Sequence, residues 1–341
     1  MTVVAFAKTA AARNGMPAAA PATGPDPAGA GAGLAPLSYL AHFGLAEAPF
    51  GLTPDTDFFF ASAPHQEALN TLLYALNNGE GFIRVTGAVG TGKTLLCRKL
   101  LAALPSDCHA LYLPNPALEP AGILHAVADE LGLELAPDDN LYRVHKAIHA
   151  RVIELARCGI RAVLVIDEAQ AMSRQCLEAV RLLSNLETEK RKLLSIVLFG
   201  QPELDDQLDA IPQFKTRISF HDSLRPLARA ELDAYVMHRL QRAGLDASAG
   251  IPFSAGALAT LHAASGGVPR VANILAHKAL LLAYGKGRAR VERREMRAAA
   301  RDTLAARVPA TGRVWRLLIA IGLAGAVGAA AWLLGLGTGL A

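Results

Sequence analysis

Gly87-Ala-Val-Gly90-Thr-Gly92-Lys93-Thr94 fits the pattern G-x-x-x-x-G-K-[ST], and it stands between an apolar run, 82–86, and a helical run, 93–103. That context is what the chemistry needs. Glycines let the backbone curl so that successive N–H groups and the start of the helix face an anion. Lys93 is then placed to reach the β- and γ-phosphates of a nucleotide, and Thr94 to offer its hydroxyl to Mg²⁺. Gly87, Ala88, Val89, Gly90, Thr91, Gly92, Lys93, Thr94 and Leu95 are the expected contacts of an ATP triphosphate.

Further along the chain, Ala162-Val-Leu-Val-Ile166-Asp167-Glu168 is an apolar strand that ends in two carboxylates. Asp167 is expected to hold Mg²⁺ or one of its waters, and Glu168 to orient and deprotonate an attacking water. Two acids in this place could instead cap a following helix. A further apolar run, 193–199, ends in Gly200-Gln201, which places Gln201 near the γ-phosphate or that water; an ordinary turn glutamine is the alternative.

Between and around these motifs, strands and helices alternate. Helices are expected at 65–77, 93–103, 120–131, 142–157 and 174–186, and strands at 82–86, 110–113, 162–166, 193–199 and 218–221. Strands that are continuous apolar runs argue for an α/β fold, with a parallel sheet covered by helices on both faces. Before it, the aromatic, Pro- and Gly-punctuated run 38–60 is expected to wrap as packed irregular chain. After Pro226 only helical patterns remain, at 229–243, 254–264, 268–284 and 292–304, and these predict a small all-α domain.

The two ends of the chain differ from this middle. Residues 1–36 are Ala-, Gly- and Pro-rich and are expected to be disordered, with Met16 as an internal alternative start. Residues 317–336 carry no charge and match a hydrocarbon core in length, which predicts one C-terminal transmembrane helix; a buried core helix is the alternative. Hydrophobic residues make up 52% of the chain and the mean hydropathy is +0.27, values that suit such a segment. Arg307, Arg313 and Arg316 precede the apolar run, so the positive-inside tendency places the N-terminal mass in the cytoplasm of a single-pass protein.

The net charge is only +4, but it is uneven: between Lys286 and Arg316 there are ten Lys/Arg against Glu292, Glu295 and Asp302. A basic surplus beside an apolar tail favours anionic membrane lipid as a partner over nucleic acid, with a solvated helical face as the plain alternative. Cys97, Cys108, Cys158 and Cys176 form no C-x-x-C pair and read as buried thiols in a reducing compartment. No metal ligand is assigned among the ten His.

Together with Tyr39-Leu, Phe43-Gly-Leu, Pro49-Phe, His65-Gln-Glu-Ala-Leu69, Arg181-Leu-Leu-Ser-Asn-Leu-Glu-Thr188, Val197-Leu-Phe-Gly-Gln-Pro-Glu-Leu204 and Gly267-Val-Pro-Arg270, these motifs resemble a family of AAA ATPases. It is the family of mannose-sensitive haemagglutinin (MSHA) pilus biogenesis and the related general secretion pathway protein A. The likeness runs from about Tyr39 to Thr303.

It implies an AAA-type three-layer sandwich at 37–226 and a helical lid at 227–306, then a basic juxtamembrane linker at 307–316 and the membrane helix at 317–336. It further implies a homo-oligomer, such as a ring, in which Gln201 and Arg270 sense the phosphates and an arginine finger enters from the next subunit. Arg217, in Phe214-Lys-Thr-Arg217-Ile, is the candidate finger, and Lys215 stands where a second arginine is usual. Ala88 replaces a usual Glu, at little cost where the backbone makes the contact. The implied role is assembly of a type IV pilus or type II secretion machine at the bacterial inner membrane. A peptidoglycan-binding domain of the secretion relative has no counterpart here, so a cell-wall role is not expected. A nucleotide-gated scaffold with negligible hydrolysis and a DNA-handling AAA ATPase are the competing readings.

Overall fold

The computed structural model describes residues 39–307, apart from 54, 56, 137–138, 188–191 and 247–249, and without the side chain of Lys215. Five strands, β1 (Phe82–Gly87), β2 (Cys108–Leu113), β3 (Arg161–Ile166), β4 (Leu194–Gly200) and β5 (Ile218–Leu224), form one sheet in the order β2-β3-β4-β1-β5. Every neighbouring pair is parallel. The three central strands, β3, β4 and β1, are largely buried because both faces are covered, whereas the edge strand β5 alternates half-buried with exposed residues. Val163 and Val165 of β3 face α2 (Ala63–Asn77) and α3 (Lys93–Ala103), packing with Leu72, Leu96 and Leu100. Leu164 and Ile166 face the other way, into a core with α4 (Pro120–Glu130), α5 (Leu141–Arg157) and α6 (Arg174–Leu183). This is the expected three-layer α/β arrangement.

Local chemistry sets the boundaries. Helix α2 begins two residues before its expected start because Pro64 occupies the first turn, where its missing N–H costs nothing. Asn140 caps α5 by accepting from the Arg143 N–H, and Ser173 caps α6 by accepting from the Cys176 N–H. Helix α6 stops at Leu183 rather than 186, and β5 runs on to Leu224 rather than stopping at 221. Two short helices, α7 (Glu203–Asp209) and α8 (Pro212–Lys215), join β4 to β5 and were not expected. Their periodicity is too brief to read, although Glu203, Asp205 and Asp206 in the first turn of α7 suit its positive end.

Beyond the sheet, α9 (Arg229–Arg242), α10 (Ala255–Ser265), α11 (Pro269–Tyr284) and α12 (Arg293–Arg301) form the helical lid. The run 39–60 does not stay irregular throughout: it opens with a short α1 (Tyr39–His42). Its aromatic residues are absorbed by the lid, where Tyr39, Phe43, Phe50 and Phe58 share a core with Leu232, Leu240, Phe253 and Leu275. Cys97 and Cys176 are buried, as expected, but Cys108 is half-buried and Cys158 exposed. Among the described residues no helix is long and apolar enough to cross a membrane. The expected span 317–336, most of the basic linker 307–316 and the extension 1–36 lie outside the described residues.

Candidate active site

The carboxyl ends of β1, β3 and β4 meet one cleft, with β4 lying between the other two. The loop after β1 takes a conformation that only glycine accepts cheaply at two points, Gly90 (φ +81°) and Gly92 (φ +103°). Space forbids a side chain as well. A Cβ on Gly92 would sit 2.7 Å from His65 Nε2, and one on Gly90 would sit 2.6 Å from Arg270 Cβ. Gly92 is also the N-cap of α3 and supplies no side-chain acceptor, so the first-turn N–H groups of α3 are left without a side-chain cap. A polyphosphate fits such a loop.

His65, on α2, supports the loop from behind. Its Nε2 lies 3.0 Å from the Thr91 carbonyl and its Nδ1 lies 2.7 Å from Ser62 Oγ. A carbonyl only accepts, so Nε2–H donates and Nδ1 accepts from the serine hydroxyl. Burial pushes the His65 pKa down, which keeps this neutral form. The Lys93 ammonium donates to the carbonyls of Gly87 (2.8 Å) and Ala88 (3.1 Å). Burial lowers its pKa, against the opposing pull of Glu168, Asp167 and Glu203.

At the end of β3, Asp167 is buried and accepts from the Glu168 N–H at 2.9 Å. Burial raises its pKa, while hydrogen bonds from Thr94 and the Glu168 backbone oppose the rise. The expected metal pair, Thr94 and Asp167, is thus in direct contact. Among the described residues there is no cluster of three or more His, Cys, Asp or Glu able to hold a metal. A serine- or threonine-plus-aspartate pair suits Mg²⁺ that keeps waters and phosphate oxygens as its other ligands.

Glu168 is the one described non-glycine residue at positive φ (52°, ψ 37°). Such a backbone costs free energy and persists where its surroundings enforce it. Its carboxylate Oε2 accepts from Gln170 Nε2 at 2.6 Å and from Gln201 Nε2 at 3.4 Å. Glu168, Lys93, Thr94, Gln201 and Arg270 line the same cleft, together with Val89, Gly90, Gly92 and Leu95 of the loop. Gly87, Ala88 and Thr91 build the loop without lining the cleft. Arg270, in the first turn of α11, also ties lid to loop through its N–H, which donates to the Gly90 carbonyl at 3.2 Å.

Arg217 is not brought here. It stands just before β5, donates to Ser184 Oγ at 2.7 Å, and lines a separate cavity with Gly81, Phe82, Lys192, Thr216 and Ser219. Gly81 and Phe82 are at the amino end of β1, roughly 16 Å of strand from the phosphate loop.

Three cleft residues gave no signal in the sequence: Tyr235 and Arg239 on α9, and Asn273 on α11. Arg239 donates to the Tyr235 hydroxyl (3.2 Å), which donates to Asn273 Oδ1 (2.8 Å), and Asn273 donates to the Gly51 carbonyl (3.3 Å). They read as ordinary lid-helix residues until the fold closes them over the 49–53 segment. His65 opens the motif His65-Gln-Glu-Ala-Leu69 and Gln170 lies two residues past Glu168, and neither position signals a role in the sequence.

The parallel sheet order, the phosphate loop and the acid pair define a P-loop ATPase of the AAA class, an ATP-hydrolysing kind of enzyme, and residues 76–208 match the AAA domain family. The chain is similar in particular to general secretion pathway protein A of Aeromonas hydrophila, with 38% identity over 291 residues that cover 85% of this chain and 52% of that protein. It therefore spans about half the length of that relative. In fold it is similar to Cdc6p from Pyrobaculum aerophilum (TM-score 0.57, 20% identity, 73% of this chain and 71% of that one). It is similar also to Drosophila ORC bound to DNA (TM-score 0.54, 18% identity, 86% and 73%).

Proposed function

We propose that this chain is a membrane-anchored ATPase that uses hydrolysis at Glu168 to drive or regulate assembly of a type II secretion machine or an MSHA-like type IV pilus. One observation carries the chemistry: Lys93, Thr94, Glu168 and Gln201, from three different strand ends, converge on one cleft closed by Arg270. The machine is inferred from the 38% identity to the secretion pathway protein. The anchor is inferred from the uncharged run 317–336.

Bound ATP and Mg²⁺ would supply the phosphoanhydride and the charge that offsets it. The chain's own groups have definite tasks. Lys93 Nζ neutralises phosphate charge, and Thr94 with Asp167 holds the metal. The Glu168 carboxylate takes the proton of the attacking water, which Gln201 orients from β4. Arg270 carries the lid onto the phosphates. Arg217, turned away from its own cleft, serves the cleft of a second copy.

Anionic lipid is the proposed partner of the face around α12, where Arg293, Arg294 and Arg301 are exposed. A DNA-handling role draws on the same basic face, and duplex DNA that raises ATP turnover more than anionic vesicles do would favour it. Phosphate release by the full-length chain tests the enzyme directly. Lys93→Ala is expected to abolish ATP binding. Glu168→Gln is expected to keep binding and lower turnover by on the order of 10²- to 10³-fold. Wild-type release from the Glu168→Gln chain would place the base elsewhere. Negligible turnover by the wild type, with intact ATP-dependent assembly, would favour the scaffold reading.

A further inference from the structure

Gln170 sits between the two groups that handle the attacking water and bonds to both. Its side-chain Nε2 donates to Glu168 Oε2 at 2.6 Å, and its side-chain Oε1 accepts from the Gln201 N–H at 2.9 Å. The residue is itself fixed from below, because Gln207 Nε2, on α7, donates to the Gln170 carbonyl at 3.1 Å. Space at the contact is limited: a Cβ built on Gly200 would meet Gln170 Oε1 at 3.2 Å and the Leu204 side chain at 2.6 Å. The amide is thereby held against the end of β4.

We infer that Gln170 is a positioning residue that clamps the Glu168 carboxylate in register with the end of the Gln201 strand. This deepens the reading of Glu168 as the base and rests on it. Three observations lead there. Glu168 stands on a left-handed backbone, so its local conformation alone does not favour the observed placement. Its Oε2 is taken by a neutral amide, which leaves Oε1 to meet a water. The same amide reads the backbone of Gln201, so a shift of β4 toward or away from the phosphates is transmitted to the base through two hydrogen bonds. Glutamine is needed for both halves of this contact, since it offers a donor and an acceptor on one rigid plane. Misplacing a catalytic group by about 1 Å costs up to roughly 100-fold in rate.

The test is steady-state ATP turnover by the full-length chain carrying Gln170→Ala, Gln170→Met, Glu168→Gln, or Gln170→Met together with Glu168→Gln. Methionine fills the glutamine's volume and removes both hydrogen bonds, so it separates positioning from packing. A clamp predicts that Gln170→Met lowers kcat about 10- to 100-fold, with KM for ATP within about twofold of wild type. It predicts no further loss when Gln170→Met is added to Glu168→Gln, since no base remains to be positioned. Full kcat in Gln170→Met would overturn the inference, even if Gln170→Ala is impaired or fails to fold, because volume alone would then explain the residue. A Gln170→Met penalty that persists undiminished beside Glu168→Gln would also overturn it. Should Glu168→Gln itself turn over like wild type, the base assignment fails first, a result distinct from either of these.

Discussion

At the carboxyl end of the sheet, β1, β3 and β4 deliver Lys93, Thr94, Glu168 and Gln201 to one place, and Arg270 closes it from the lid. At the amino end, Arg217 is also held in place, by the buried Ser184, yet it faces a cavity shared with Gly81, Phe82, Lys192, Thr216 and Ser219. Both ends are ordered by hydrogen bonds. Only one of them contains the chemistry of hydrolysis. On the proposed reading, the carboxyl end of a single copy holds the nucleotide and activates the water, whereas Arg217 lines a separate cavity at the far end. A second copy stacked against that end would find an arginine already oriented.

Removing the distant cation should have the largest effect. Arg217→Ala is expected to lower turnover by about 10³-fold or more, in the range of arginines that enter from a neighbour, with ATP affinity unchanged. Unaltered phosphate release would mean that the amino end has no part in the reaction. A smaller effect is expected from Ser184→Ala, which leaves the arginine present but loosens its aim. Turnover should fall roughly tenfold, and no loss would show that Arg217 needs no holder.

The smallest effect concerns the support beneath the phosphate loop. Burial holds the His65 pKa below its ordinary value, so the folded protein binds fewer protons there than the unfolded chain. Stability from this group is therefore complete above about pH 6.5, the unfolded value, and is lost as pH falls below it. The wild-type Tm should decline between pH 7 and pH 5.5. His65→Gln, whose amide N–H can still donate to the Thr91 carbonyl, should flatten part of that decline; identical slopes would remove His65 as its source.

Much of the carboxyl end was legible in the sequence, because its groups belong to short contiguous motifs whose spacing follows strand and helix geometry. Gly87–Thr94 and Asp167–Glu168 announce a strand end each, and the structure sets both on one edge. Gln201 could be placed near them for the same reason. What could not be read is contact made only by closure of the chain. Tyr235, Arg239 and Asn273 look like any lid-helix residues, and the aromatic run from Tyr39 gives no hint that it joins the lid's core. Helices α7 and α8 are shorter than the window in which a helical period can be seen. The proposed role of Arg217 could be named only through family likeness, since its place depends on a partner that one chain's sequence does not contain.

The division of labour between the two ends is tested most directly by mixing two defective chains. Full-length Arg217→Ala retains an intact cleft, and full-length Lys93→Ala retains an intact arginine. Phosphate release is measured for each alone and for an equimolar mixture in which co-assembly is verified by differential tagging. The account predicts that each is nearly inactive alone and that the mixture regains a substantial share of wild-type turnover. No recovery in verified mixed assemblies would contradict it.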